Sequence, residues 1–198
     1  MPKIVDHEQQ KIKVAEAAWR VIRQSGIENA SVRNVAQEAG ISPGSMRHYF
    51  ATQSELYLFS MNLVSERVNA RIAAVLSLDG PIPEAARGML RELLPLNEER
   101  RSEMEVWLAF MSRSIWDPAL HELATRVYEE MNQGMVQVVS ALTEQGLVRK
   151  ELNAEEEGRR MQVFVDGIAL HGLLYPERMP PEMMEMLLEQ YLEELYRK

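Results

Sequence analysis

The chain has 198 residues, 46% of them hydrophobic and 26% charged, the composition of a soluble globular protein rather than of a disordered tail. No apolar run approaches the roughly 18 residues of a spanning helix, and the opening MPKIVDHEQQKIK has no apolar signal core, so a cytoplasmic protein without membrane attachment is expected. The absence of cysteine excludes a disulfide framework, a thiol nucleophile and a thiolate metal site.

The net charge of −8 is unevenly spread. Residues 1–60 carry seven Lys/Arg against six Asp/Glu, while residues 61–198 carry fifteen against twenty-four. An acidic balance overall therefore does not exclude a phosphate-facing surface in the first third.

Helix periodicity dominates from the start. Ile12, Ala15, Trp19 and Ile22 fall three or four apart on one face, and Gly26 is placed to end that helix. Ser31 reads as the N-cap of a short second helix whose inner face is Val32, Val35, Ala36 and Ala39. Gly40 suits a sharp turn. Ser42 then caps a third helix with Pro43 at its first position, where a missing N–H costs nothing.

That third helix can hardly pass Phe50, because Thr52 and Glu55 form a capping box for the fourth, predicted over 53–77. Beyond the LDGPIP break at 78–83, helices are predicted at about 83–94, 98–115, 118–144, 154–174 and 181–197. The chain reads as all-α with about nine helices. It divides into an N-terminal three-helix head, 1–52, and a C-terminal helical domain, 53–198.

Two short helices joined by a glycine turn, with a third beneath, have the proportions of a helix-turn-helix. The third helix, PGSMRHY, then has a use. Ser42 and the backbone N–H groups beside it meet phosphate; Gly44 and Ser45 allow close approach. Arg47 reads guanine or holds a phosphate, and His48 and Tyr49 donate to phosphate oxygens. Met46 and Phe50 turn inward as anchors. Ser31 and Arg33 on the second helix and Gln53 at the start of the fourth extend the same surface, and double-stranded DNA is the expected partner.

SVRNVAQEAGISPGSMRHYFATQSELY, residues 31–57, resembles the DNA-binding signature of the TetR family of transcriptional regulators. The matching positions are Ser31, Ala36, Ala39, Gly40, Ile41, Ser42, Gly44, Tyr49, Phe50 and Leu56. The resemblance implies a DNA-binding head and a C-terminal domain that dimerises and binds a small molecule. Two departures stand out: the family often has tyrosine where this chain has Arg47, and lysine where it has Gln53. Both usual residues contact phosphate, and Arg47 compensates for the charge missing at Gln53.

MEVWLAFMSRSIWDPALHEL, residues 104–123, resembles the regulatory domain of the betaine-inhibitor repressor branch through Trp107, Ala109, Phe110, Pro118 and Leu120. It locates an effector region. Met61, Met104, Trp107, Phe110, Met111, Met131 and Met135 form an aromatic and methionine lining suited to an apolar or cationic effector. Asp166 and His171 are its candidate polar contacts, although each of these residues alone also reads as core or structural.

Two apolar stripes close the chain: Met161, Phe164, Val165 and Ile168, then Met184, Leu188, Tyr191 and Leu195. With Gly167 and Gly172 allowing close approach, they are the expected interface of a homodimer, with packing inside one chain accounting for part of each. The rival functions are an all-helical enzyme and a helical adaptor that binds no DNA. His7, His48, His121 and His171 are scattered, and Glu155, Glu156 and Glu157 open a helix where negative charge is favoured anyway. No catalytic constellation, metal site or cofactor is expected. A ligand-responsive DNA-binding regulator, most simply a repressor, is the reading that uses all these features.

Overall fold

The computed structural model describes residues 7–78 and 80–196. Among them are nine α-helices, one short 3-10 helix and no strand. The helices are α1 (His7–Ser25), α2 (Val32–Glu38), α3 (Pro43–Tyr49), α4 (Gln53–Leu76), α5 (Ile82–Glu92), α6 (Glu98–Ser114), α7 (Pro118–Glu144), α8 (Ala154–Leu174) and α9 (Pro181–Tyr196). The 3-10 helix, Ile27–Asn29, lies between α1 and α2 and leaves no periodic trace in the sequence.

The boundaries follow from the caps. Ser31 Oγ accepts from the Asn34 N–H at 3.2 Å and Ser42 Oγ from the Ser45 N–H at 3.0 Å. Thr52 Oγ1 accepts from the Glu55 N–H at 3.1 Å, while the Glu55 carboxylate reaches back to the Ala51 N–H at 2.8 Å. Between α2 and α3, Gly40 has φ +67°, and the Ile41 N–H donates to the Ala36 carbonyl at 3.0 Å. That is the long bond of a Schellman ending, which needs a left-handed residue at the glycine position.

By packing, the chain forms two compact units. The first holds the chain up to Arg67 together with Ser102–Thr125; the second holds Val68–Arg101 and the chain from Arg126 onward. These units differ from a cut at residue 52, because the first half of α4 and most of α6 pack with the head. The Trp19 indole N–H donates to the Ser60 carbonyl at 3.3 Å, and Arg23 of α1 pairs with Glu105 of α6 at 2.6 Å. The core of this unit contains Val14, Ala18, Trp19, Val35, Met46, Phe50, Leu56, Tyr57, Met61, Val106 and Phe110. Met46 and Phe50 are buried, as their inward anchoring role requires.

In the second unit, α8 and α9 pack through Met161, Val165, Ile168, Met184, Leu188 and Leu192, all buried. The Tyr191 hydroxyl donates to the Glu157 carboxylate at 2.5 Å, and its ring stacks on Phe164 at 4.5 Å. Glu92 of α5 holds two helices at once, pairing with Arg71 of α4 at 2.9 Å and with Arg100 of α6. Arg101 donates to the Gly172 and Leu173 carbonyls at 3.2 and 3.0 Å, satisfying orphan acceptors at the end of α8.

Candidate nucleic-acid interface and effector region

The DNA-facing candidates gather on α2, α3 and the turn between them. Arg33, Ser42, Pro43, Gly44, Ser45, Arg47 and His48 are exposed; Ser31 and Tyr49 are half-buried. Ser42 donates its own hydroxyl to Ser45 Oγ at 3.0 Å, which leaves the Ser45 hydroxyl proton free. Among the described residues Ser31 Oγ acts only as an acceptor, so its proton is also available. Each helix start thus presents one serine hydroxyl able to donate to a phosphate oxygen.

The arginines of the first unit divide into two groups. In the first unit Arg20 pairs with Glu38, Arg23 with Glu105, Arg67 with Glu16 and Arg113 with Glu28. Arg33 and Arg47 have no acid partner among the described residues. Two uncompensated guanidinium groups beside two donor hydroxyls make the α2–α3 face positive and donor-rich. Tyr49 turns its ring against His7 of α1, with centroids 4.9 Å apart, so the start of α1 borders the same face.

Gln53 stands differently from the expectation. Its amide nitrogen faces inward and donates both to the Ala30 carbonyl at 3.2 Å and to the Tyr57 hydroxyl oxygen at 2.5 Å. Tyr57, absent from the sequence-derived candidates, donates in turn to the Ile27 carbonyl at 2.8 Å. Burial raises the Tyr57 phenol above its ordinary range, which keeps the hydroxyl a donor. No local pattern signals these bonds, since they join residues 23 and 30 positions apart.

The nine effector-region candidates divide between the two units. In the first, Met61 and Phe110 are fully buried, and Phe110 meets Tyr57 edge-on with centroids 5.8 Å apart. These two are core. Met104, Trp107 and Met111 on α6 are half-buried, so part of each side chain keeps contact with solvent. In the second unit Met135 is buried, Met131 half-buried, and Asp166 and His171 exposed. Asp166 and His171 lie on the outer face of α8, turned from the buried stripe of Met161, Val165 and Ile168, and His171 sits edge-on to Tyr175 at 5.8 Å.

The stripes assigned to a dimer interface need a correction. Met161, Val165, Ile168, Met184, Leu188, Tyr191 and Leu195 are buried within the single chain, and Phe164 is half-buried against Tyr191. Packing of α8 on α9 and their neighbours already covers them. The uncovered apolar surface of α8 is the adjacent face: Val163 is 62% exposed, Leu170 39% and Leu174 51%, with Gly167 open between them. Gly172 serves inside the chain, where an added Cβ would meet the Met184 side chain. The spacing 163, 167, 170, 174 is itself helical, so the sequence carries a second apolar stripe on α8 beside the first.

Among the described residues no group of three metal-ligating side chains comes together, and no helix is long and apolar enough to cross a membrane.

A paired short-helix head with unpaired cations, joined to a larger helical region, defines a helix-turn-helix transcriptional regulator. Residues 14–58 match the model of bacterial regulatory proteins of the tetR family, and residues 83–197 match that of the BetI-type transcriptional repressor C-terminal domain. The chain belongs to the TetR family. It is 38% identical to the HTH-type transcriptional regulator PksA of Bacillus subtilis (strain 168) over 195 residues, covering 98% of this chain and 94% of that one. It is 28% identical to the HTH-type transcriptional regulator BetI of Vibrio vulnificus (strain YJ016), covering 98% and 96%. Among solved structures, a transcriptional regulator from Rhodococcus sp. Rha1 is 31% identical with a TM-score of 0.82, covering 93% of this chain and 95% of that one. A putative regulator from Saccharomonospora viridis in complex with choline shares the fold at 22% identity and a TM-score of 0.87, covering 94% and 96%.

Proposed function

We propose that this regulator is a cytoplasmic, homodimeric repressor released from its operator by a small-molecule effector. The observation that carries the DNA-binding part is the α2–α3 face, where Arg33 and Arg47, without an acid partner among the described residues, stand beside the Ser31 and Ser45 hydroxyls. In this reading α3 enters the major groove, Arg47 contacts a guanine or a phosphate, and Ser31, Ser45, His48 and Tyr49 hold the backbone.

The dimer forms through the outer face of α8, with Val163, Gly167, Leu170 and Leu174, extended by the exposed Met183 and Met186 of α9. A closed twofold contact of this kind covers the same patch on both copies. The effector region centres on the half-buried Met104, Trp107 and Met111 of α6, whose aromatic and thioether surfaces suit an apolar or cationic compound. Effector binding favours one of two arrangements of the heads, and it shifts the equilibrium only by its differential affinity for them. DNA release and tighter effector binding by the free protein are then one coupling free energy.

Genomic fragments retained by the protein, recovered and sequenced, test the first part; retention of no specific fragment would remove it. Choline, bound in the solved structure of similar fold, is the first compound for the effector part. A ligand of this site raises the melting temperature and lowers operator affinity together. Trp107→Ala is expected to abolish that response while leaving operator affinity without effector nearly intact. A variant that still released DNA at the wild-type effector concentration would move the effector site elsewhere.

A further inference from the structure

We infer that Gln53 and Tyr57 form an internal latch that positions the start of α2 on the DNA, so that Gln53 acts on operator binding through the Ile27–Ser31 connection and makes no DNA contact of its own. The inference rests on the DNA-binding part of the reading above.

A glutamine amide has two N–H donors, and those of Gln53 go to the Ala30 carbonyl and the Tyr57 hydroxyl oxygen. The Ala30 carbonyl can only accept, so the nitrogen must face it, and the remaining amide oxygen is an acceptor with nothing to offer a phosphate oxygen. The Tyr57 hydroxyl takes the Gln53 hydrogen bond and donates its own proton to the Ile27 carbonyl at 2.8 Å. One short chain of bonds therefore fixes the Ile27 and Ala30 carbonyls from α4.

Those two carbonyls lie one and four residues before Ser31, the N-cap of α2. Local surface bonds hold the same connection: the Asn34 side chain donates to the Asn29 carbonyl at 2.9 Å and Asn29 to the Ser25 carbonyl at 2.6 Å. On its outer side Glu28 pairs with Arg113 of α6 at 3.0 Å. The 3-10 helix is too short to hold itself. Its position, and with it that of Ser31 and Arg33, is set by bonds from its neighbours, of which those from α4 are the part-buried ones. Tyr57 is itself held by burial and by its edge contact with Phe110, so the latch stands on a rigid base. A linked network of this kind loses its function when any one member is removed, and the losses do not multiply.

The test is a double-mutant cycle in the full-length protein, read on a genomic DNA fragment that the wild type retains, together with amide hydrogen exchange of the free protein. Tyr57→Phe keeps the ring on Phe110 and removes both hydroxyl bonds; Gln53→Ala removes the other end. Each is expected to lower affinity roughly twofold to tenfold, with an unchanged salt slope. The double variant should be no weaker than the weaker single one. Amides between Gly26 and Asn34 should exchange faster in both variants, with the rest of the head unaltered. Losses that multiply, or exchange in this segment that stays at the wild-type rate, would overturn the latch and make Gln53 an independent DNA contact or a bystander. The exchange arm needs no DNA. If the wild type retained no fragment, the regulator reading would fail while exchange still decided the latch.

Discussion

Arg47 projects from α3 with no carboxylate partner among the described residues, whereas four arginines of the same unit are tied to glutamates. A free guanidinium on a short, capped helix loses no internal partner when it meets DNA, so its full hydrogen-bonding capacity is available there. Arg47→Ala is expected to cost about 1–3 kcal/mol of specific binding if it reads a base. If it holds a phosphate, affinity should fall on all sequences alike and the salt slope should drop by about 1. Operator affinity measured at several salt concentrations separates the two, and an unchanged affinity would remove Arg47 from the interface. Gln53 shows the opposite case. Nothing in the sequence around it reveals that its nitrogen is occupied by a carbonyl 23 residues earlier.

Helix limits are readable because caps are local: Ser31, Ser42 and Thr52–Glu55 each make the backbone bonds their sequence patterns imply. Which face of a helix meets which neighbour is a non-local property. On α8 two apolar stripes run side by side, and periodicity cannot say that the Met161–Ile168 stripe is covered by its own chain while Val163, Leu170 and Leu174 stay open. Asp166 belongs to the open side. Desolvation raises its carboxyl from 3.8 to about 6, although the residue keeps solvent contact. At Asp166 the folded chain therefore holds more proton than the unfolded one between about pH 4 and pH 6, and this group's contribution to stability falls as pH rises through that window. Asp166→Asn lacks this loss. Its melting temperature should gain on the wild type from about pH 4 to pH 6 and keep a constant lead above. The gain is expected to be small because solvent screens the charge. Parallel melting curves across the range would show that Asp166 titrates as an ordinary carboxyl.

Assembly decides whether one head or two reach the operator. A dimeric regulator reads two half-sites, and losing the second contact weakens binding far more than any single side chain does. The two apolar stripes of α8 make opposite demands on a charged substitution. Leu188 is buried on α9, in the packing that also covers the inner stripe, so Leu188→Glu buries an unpaired charge inside one chain and should unfold it. Leu170 is 39% exposed on the outer stripe, with Gly167 open beside it. Leu170→Glu should leave the isolated chain folded, because its carboxylate can stay in water. In the dimer the same charge would be buried against its symmetry mate, at a cost of about 3–5 kcal/mol. That is a loss of more than about a hundredfold in dimer affinity. Sedimentation should then find a folded monomer with wild-type helix content, and operator binding should collapse even though every residue of α2 and α3 is intact. A Leu170→Glu protein that still sedimented as a dimer would place the interface on another surface.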